Sequence, residues 1–299
     1  MESRSNLTTE KQNLSSKLID LKSPEEILHI INSEDETVAH AVKKAIPQIS
    51  KTISFCIFAI KNGNRIIYVG AGTSGRLGVL DASEIPPTFS APSEWFTGVI
   101  AGGEKALRKS VEGAEDIPEN GIQDLQIAGI TEGDVVIGVS TSGAANYVKA
   151  ALKYAQEIGA KTCYITCNPE PFYRVPADSI IKIETGSEII TGSTRMKAGT
   201  ATKMVLNMIS TTTMIKLGKV YGNLMVDLMA VNEKLMDRGT RIITQLTNTD
   251  YEYAHQKLIE SDKSVKRAII MIKKNCSSDQ AELKLKKAEG FLGKVLKES

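Results

Sequence analysis

The strongest constraint on the fold is an alternation, between residues 65 and 185, of short apolar segments with segments of helical periodicity. The apolar segments are RIIYVG, WFTGVIAGG, DVVIGVS, KTCYITC and ADSIIKIET, and most are rich in β-branched side chains. Continuous apolar strands are typical of a parallel sheet that helices cover on both faces. Five such strands within about 120 residues predict an α/β fold with a doubly wound parallel five-stranded sheet of flavodoxin-like order.

Helical patterns flank the alternating region on both sides. Residues 1–22 are polar and predict an arm, and the sequence SPEE from Ser23 onward is typical of a helix start, with a capping serine followed by proline. A long Met-rich helical pattern and several polar helical segments follow the predicted sheet. The expected domains are an N-terminal arm with helices over 1–50, an α/β domain over 51–226 and a small helical domain over 227–299.

The composition indicates a globular protein with no general affinity for polyanions. Of the 299 residues, 41% are apolar and 24% are charged, and the net charge of +2 favours neither nucleic acid nor an anionic membrane as a partner. No apolar run reaches the ~20 residues of a membrane span, and the polar N-terminus lacks a secretory core, so we expect a cytoplasmic protein. The spacing of the four cysteines suits no zinc site, and no histidine lies near a Gly-rich turn. Buried free thiols are expected, and a metal centre is not.

The first predicted strand ends in a turn that matches a dinucleotide-binding pattern. The sequence GAGTSG, from Gly70 to Gly75, fits G-x-G-x-x-G. A nicotinamide or flavin site usually also needs an acidic residue at the end of the second strand, about 20 residues further on. Glu94 lies at the wrong end of that strand. The pattern alone is therefore weak, and we expect no such cofactor.

The same strand–turn–helix arrangement occurs a second time. VVIGVSTSGAAN repeats the layout of IIYVGAGTSGRL, and both turns are expected at the carboxyl edge of the sheet. A helix N-terminus offers unpaired backbone N–H groups, and serine or threonine hydroxyls add further donors. Two neighbouring turns of this kind could hold one phosphate monoester without a metal, although each could instead be a simple capped helix start. The candidate phosphate-binding residues are Gly72, Thr73, Ser74, Ser140 and Ser142.

A third polar turn and two acidic residues complete the candidate site. The turn TGSEIITGSTRMKAGTATK precedes the long helix and could direct Ser193, Thr194, Arg195 and Lys197 into the same crevice, or could be a helix cap with surface cations. Glu84 is expected to end the helix that follows the first turn, just before Pro86-Pro87. Glu115 lies in VEGAED, within a stretch over 103–129 that is expected to be mostly helical. Spacing alone would make both acids ordinary surface residues.

Four of these segments together resemble a known family. GAGTSGRLGVLDASEIPPTF, VEGAED, GVSTSGAANYV and TGSTRMKAGTATKMVLNM are similar to the N-acetylmuramic acid 6-phosphate etherases. These enzymes belong to the sugar isomerase (SIS) domain superfamily and are related to the glucokinase regulatory protein. The resemblance extends from about Leu7 to the C-terminus and includes LTTEKQN and INSEDETVAHAV. It implies that the segment 51–226 is a SIS domain that binds an amino-sugar phosphate.

The resemblance implies a lyase in cell-wall sugar recycling that needs neither metal nor cofactor. It implies cleavage of the D-lactyl ether of N-acetylmuramic acid 6-phosphate by elimination and then hydration. Glu84 would protonate the departing lactate and later activate water, and Glu115 would remove the C2 proton. Arg76, Arg195 and Lys197 are candidates for binding the lactyl carboxylate. The family also implies a homodimer in which helices flanking the sheet pair two SIS domains.

Two other functions remain open for a SIS domain. An aldose–ketose isomerase also uses a carboxylate at C2, but it needs no acid for a leaving group at C3. A sugar-phosphate-sensing regulatory protein would bind the same ligands without turnover. A transcription regulator should carry a helix-turn-helix segment, and the first 50 residues show no basic recognition helix.

Overall fold

A computed structural model describes residues 4–297 and divides the chain into two compact units. The first unit comprises the residues up to 83 together with 94–210, and the second comprises 84–93 together with the residues from 211 onward. The twelve helices are α1 (Pro24–Lys44), α2 (Ile46–Lys61), α3 (Gly72–Phe89), α4 (Gly103–Arg108), α5 (Pro118–Ile127), α6 (Asn146–Ile158), α7 (Lys197–Lys216), α8 (Glu233–Thr247), α9 (Tyr251–Glu260), α10 (Val265–Lys274), α11 (Ser278–Lys287) and α12 (Leu292–Lys297).

The five predicted strands form one parallel sheet in the order β2-β1-β3-β4-β5, which confirms the doubly wound fold. The strands are β1 (Ile66–Gly70), β2 (Phe96–Ile100), β3 (Val135–Val139), β4 (Lys161–Thr166) and β5 (Ser179–Lys182). In register, Ile66 lies opposite Phe96 on one side and Val135 on the other. The strand order reverses between β1 and β3, and doubly wound sheets bind ligands at the carboxyl ends of the strands at such a point.

Helices on both faces explain why the central strands are continuously apolar. Every residue of β1 and β3 is buried. On one face, α6 buries Tyr147, Val148 and Leu152 in a cluster that includes Ile67 of β1. Helix α2 packs against β1, β3 and β5. Strands buried on both faces have no polar alternation, as the sequence indicated.

The N-terminal helix begins as its sequence predicts. The backbone N–H of Glu26 donates to Ser23 Oγ at 3.3 Å, and the Ser23 N–H donates to Glu26 Oε2 at 2.8 Å. This reciprocal pair is a capping box, which satisfies two N–H groups that a helix start otherwise leaves unpaired. Pro24 fits at the first helical position because its missing N–H would have no partner there.

One predicted helix boundary was wrong. Helix α3 does not end before Pro86-Pro87 but continues to Phe89, with both prolines inside its last turn. Glu84 is therefore not at the helix C-terminus. The stretch over 103–129 is mostly helical, as expected: α4 ends at Arg108, Ala114–Asp116 form one 3₁₀ turn, and α5 begins at Pro118.

The second unit contains α8–α12 around a core of its own. Its buried side chains include Val226, Ile243, Leu258 and Ile269. Lys266 is buried among them, where its Nζ contacts Asp227 Oδ2 at 2.5 Å and the Gly290 carbonyl at 2.8 Å. Burial lowers the pKa of Lys266, and the Asp227 carboxylate opposes that shift.

Candidate active site at the carboxyl edge of the sheet

The turn between β1 and α3 needs glycines because its backbone folds closely onto itself. A Cβ atom on Gly70 would lie 2.6 Å from the backbone nitrogen of Gly75, and one on Gly75 would lie 2.7 Å from the Gly70 carbonyl oxygen. Gly72, where α3 begins, has a positive φ of 54°. These contacts account for the glycine pattern without a dinucleotide. They also leave the backbone N–H groups at the start of α3 facing the end of β1.

The turn between β3 and α6 uses serine side chains to hold its own backbone. Ser140 Oγ accepts from the Ala145 N–H at 3.4 Å, and Ser142 Oγ accepts from the Ala144 N–H at 3.3 Å. Gly143 has a φ of 77°, and a Cβ there would lie 2.3 Å from Pro171 Cβ. A hydroxyl that accepts a hydrogen bond can still donate its own hydrogen. The two serines can therefore cap this turn and bind a ligand together.

A cavity of about 220 Å³ lies between these two turns. Six of the seven residues that the sequence suggested as phosphate-binding or acidic site residues line it: Gly72, Thr73, Ser74, Glu115, Ser140 and Ser142. Its other lining residues are Leu7, Glu10, Ala71, Val139, Thr141, Ala145, Gly192 and Thr194. Ser193 is not one of them, although both of its chain neighbours are. The cavity has many hydroxyl and backbone N–H groups, which suit an anionic ligand with polar substituents.

Glu115 reaches the cavity from a short turn rather than from a helix. The 3₁₀ turn at Ala114–Asp116 follows Gly113, whose φ is 74°, and the Asp116 N–H donates to the Gly113 carbonyl at 3.1 Å. Ala114 is buried and holds the turn against the first unit, whereas the Glu115 side chain is exposed and lines the cavity. The arrangement gives one carboxylate access to both solvent and a bound ligand.

Glu84 lies in a different setting. It is on the exposed face of α3, ten residues after Ser74, in the second unit, and it is not among the residues that line the cavity. Its predicted role in catalysis is therefore not supported by the geometry of this cavity and stays a prediction based on the family motif.

The three candidate cations are not cavity residues either. Lys197 is only 3% exposed, and its Nζ pairs with Glu34 Oε2 at 2.6 Å. Arg76 Nη2 donates to the Lys109 carbonyl at 3.3 Å, and Arg195 is exposed. Among the described residues that line the cavity, none is lysine or arginine.

The loop before α7 is held by buried ionic groups. Glu188 is fully buried, and its carboxylate accepts from the Lys197 and Ala198 N–H groups, each at 3.0 Å. Burial raises the pKa of Glu188, and the backbone hydrogen bonds from α7 oppose the shift. Lys197 is therefore neither a cavity residue nor a surface cation, because it is buried at the start of α7 and paired with Glu34. The same capped loop places Gly192 and Thr194 at the cavity.

The N-terminal arm supplies two cavity residues that sequence reasoning missed. Leu7 and Glu10 both line the cavity, and Leu7 is buried. Short 3₁₀ turns from Arg4 to Leu21 carry the arm along the first unit. The only sequence signal was the resemblance of LTTEKQN to the family. No local pattern could place these residues beside turns more than 60 positions away.

Neither a group of metal-ligating side chains nor a membrane-spanning helix is found among the described residues. Over residues 4–297, no group of three or more His, Cys, Asp or Glu residues could hold a metal ion. No helix in that range is long and apolar enough to cross a membrane. Cys56, Cys163 and Cys167 are buried free thiols, as expected, and Cys276 is half-buried.

Two family models match the α/β region. The glucokinase regulatory protein N-terminal SIS domain matches residues 48–156, and the SIS domain matches residues 111–212. The solved structure of a phosphoheptose isomerase from Neisseria gonorrhoeae has a TM-score of 0.48 and 15% identity, covering 64% of this chain and 99% of its own.

Bacterial relatives match the chain over nearly its whole length. The N-acetylmuramic acid 6-phosphate etherase of Geobacillus thermodenitrificans is 48% identical over 97% of this chain and 98% of its own. That of Oceanobacillus iheyensis is 51% identical, with the same coverage of both chains. That of Clostridium beijerinckii is 49% identical over 98% of this chain and 96% of its own.

Proposed function

The chain belongs to the N-acetylmuramic acid 6-phosphate etherase family, and from this we propose the reaction that it catalyses. It cleaves the D-lactyl ether of N-acetylmuramic acid 6-phosphate to N-acetylglucosamine 6-phosphate and D-lactate, a carbon–oxygen lyase reaction in cell-wall sugar recycling. This proposal rests on the similarity to the etherases over nearly the whole chain. It is supported by a cavity that is lined by the turns after β1 and β3 and also by Glu115. We infer a cytoplasmic location for the reaction from the polar N-terminus, which lacks a secretory core.

The 6-phosphate binds between the turns after β1 and β3. Thr73 and Ser74 lie in the first turn of α3, where unpaired backbone N–H groups and the helix dipole favour an anion. Ser140 and Ser142 accept bonds from their own turn, which does not use their hydroxyl hydrogens. The placement of both turns at the point where the strand order reverses supports this assignment.

Glu115 is the base that removes the C2 proton. In the open-chain sugar the aldehyde at C1 acidifies that proton, and the C2–H electron pair forms the C2–C3 double bond as the C3–O bond breaks. Glu115 is suited to this role because its carboxylate lines the cavity that also holds the phosphate turns. A positioned carboxylate within hydrogen-bond reach contributes about 10²–10⁴-fold to such a proton transfer.

Glu84 is the acid of the same reaction. It donates a proton to the lactyl oxygen as that oxygen leaves C3, and it then removes a proton from the water that adds back at C3. The hydroxide adds at C3, C2 takes back a proton from Glu115, and the unsaturated aldehyde becomes the product sugar. This role rests on the family segment DASEIPPTF, which contains Glu84, and on the exposure of its side chain.

The enzyme acts as a homodimer. Four leucines of the arm and of the beginning of α1 support this: Leu14, Leu18, Leu21 and Leu28 are between 61% and 84% exposed. Large apolar side chains that are this exposed and close in sequence are typical of a surface that a second protein molecule covers.

The decisive test is release of D-lactate from purified N-acetylmuramic acid 6-phosphate in the presence of EDTA. We expect full activity with the chelator, because the described cavity offers no metal ligands in a suitable group. Conversion of a sugar phosphate to its ketose without lactate would instead identify an isomerase. Binding of sugar phosphates without any turnover would identify a sensor.

A further inference from the structure

Glu10 is a second carboxylate in the active-site cavity, and the reaction scheme does not use it. It lies in the N-terminal arm, and apart from Leu7 every other cavity residue is at least 60 positions away in sequence. If the arm were a loose extension, the position of Glu10 would not be fixed relative to the cavity. The hydrogen bonds around Glu10 show that the arm is instead built into the cavity wall.

Asn168 anchors the arm to the phosphate-binding region. This buried side chain follows β4, and its Oδ1 accepts from the backbone N–H groups of Thr8 at 2.8 Å and Thr9 at 3.4 Å. Its Nδ2 donates to the Thr141 carbonyl at 3.0 Å, within the turn after β3. One side chain therefore fixes the arm relative to the two serines of that turn.

A second attachment joins the arm to the loop before α7. The Gly192 N–H donates to the Thr9 carbonyl at 3.0 Å, and Thr9 is fully buried. A Cβ atom added to Gly192 would lie 3.2 Å from Glu10 Oε2, so the Glu10 carboxylate rests against this glycine. Glu10 is thus held between two cavity-lining loops.

The Glu10 carboxylate is available to a ligand. Its side chain is exposed to the cavity, and within residues 4–297 no side chain donates a hydrogen bond to it. A carboxylate accepts hydrogen bonds and repels other anions. It is therefore a poor partner for phosphate and a good partner for a hydroxyl or an amide N–H.

On the basis of the proposed function, we propose that Glu10 determines substrate specificity by accepting a hydrogen bond from a hydroxyl or acetamido N–H of the amino sugar. The hydroxyl-rich turns bind the phosphate, and Glu10 disfavours the reversed pose in which an anionic group would face it. The sugar is thereby held in one orientation, with its neutral polar groups against the arm.

The test compares two ligands by calorimetry, which needs no turnover. Binding of N-acetylglucosamine 6-phosphate and of inorganic phosphate is measured for the wild type, Glu10→Ala, Glu10→Gln and the control Glu25→Gln, an exposed acid on α1. Glu10→Ala should weaken sugar-phosphate binding by about tenfold to a hundredfold, the effect of losing a hydrogen bond to a charged group. Inorganic phosphate should bind equally well or a few-fold more tightly. Glu10→Gln, which keeps one acceptor oxygen, should be intermediate, and Glu25→Gln should match the wild type.

Four results would overturn this assignment. Equal weakening of both ligands would mean that Glu10 only supports the arm. Equally tighter binding of both ligands would mean that the Glu10 charge repels the phosphate without contacting the sugar. Unchanged affinity for both ligands would mean that Glu10 contacts neither. Absence of binding to the wild type would remove the cavity itself as the site. The proposed function fails separately, if the wild type binds N-acetylglucosamine 6-phosphate but releases no D-lactate from the substrate.

Discussion

Replacement of Ser140 by alanine tests whether the turn after β3 binds the phosphate. Ser140 is 6% exposed, its Oγ accepts from the Ala145 N–H at 3.4 Å, and a hydrogen bond also links it to Tyr164. If its hydroxyl donates to the phosphate, the variant loses a hydrogen bond to a charged group, worth about 1.5–3 kcal/mol. That free energy corresponds to a KM increase of about 10- to 150-fold, at about 1.4 kcal/mol per factor of ten.

The Ser140→Ala variant should keep its kcat but unfold at a lower temperature. Because the phosphate is remote from the bonds that break, its binding is the same in the ground state and the transition state, and kcat should stay within about threefold of the wild type. The two lost protein hydrogen bonds should cost about 1 kcal/mol each, which lowers the melting temperature by roughly 4–8 °C in a unit of this size.

The assay is steady-state D-lactate release over a range of substrate concentrations, paired with thermal unfolding. Ser54→Ala is the matched control, because the Ser54 hydroxyl bonds only to the Ser50 carbonyl on the exposed face of α2. It should leave KM and kcat unchanged. A KM for Ser140→Ala within twofold of the wild type would refute phosphate binding by this hydroxyl. A fall in kcat with no change in KM would refute the view that Ser140 contributes to phosphate binding and not to the chemical step.

Three further predictions test the acids, the assembly and the thiols. Glu84→Ala should lose D-lactate release but still exchange the C2 hydrogen of N-acetylglucosamine 6-phosphate in deuterated water, whereas Glu115→Ala should lose both; the reverse pattern would exchange their roles. Leu28→Glu should shift the protein from dimer to monomer in light scattering. Leu283→Glu, which changes an exposed leucine in the second unit, should leave the dimer intact. An unchanged dimer in both variants would place the interface elsewhere. Burial raises the pKa of Cys163 to about 12, which keeps this thiol protonated at pH 8, so iodoacetamide should modify the half-buried Cys276 first. Early labelling of Cys163 would contradict its burial.

The sequence by itself determined the sheet, the helix starts and the two turns that follow β1 and β3. These features depend on local rules: continuous apolar runs for buried parallel strands, a Ser-Pro-Glu-Glu start for α1, and glycines where the backbone must fold closely. Because parallel strands share one carboxyl edge, the repeated turn after β1 and after β3 also predicted that Ser74 and Ser140 lie near each other. The cavity contains both residues.

Only the tertiary structure decided which charged groups face that cavity. Lys197 follows a polar turn and could have pointed inward, but its ion pair with Glu34, 163 positions away, removes it from the site. In the sequence, Glu10 is one acid in a polar arm. In the structure, Asn168, which is 160 positions from Thr8, holds that arm against the turn after β3. Side-chain direction and long-range pairing depend on which surfaces the whole chain buries together. Local periodicity carries no information about either, so hydroxyl turns were predictable and the placement of the charges around them was not.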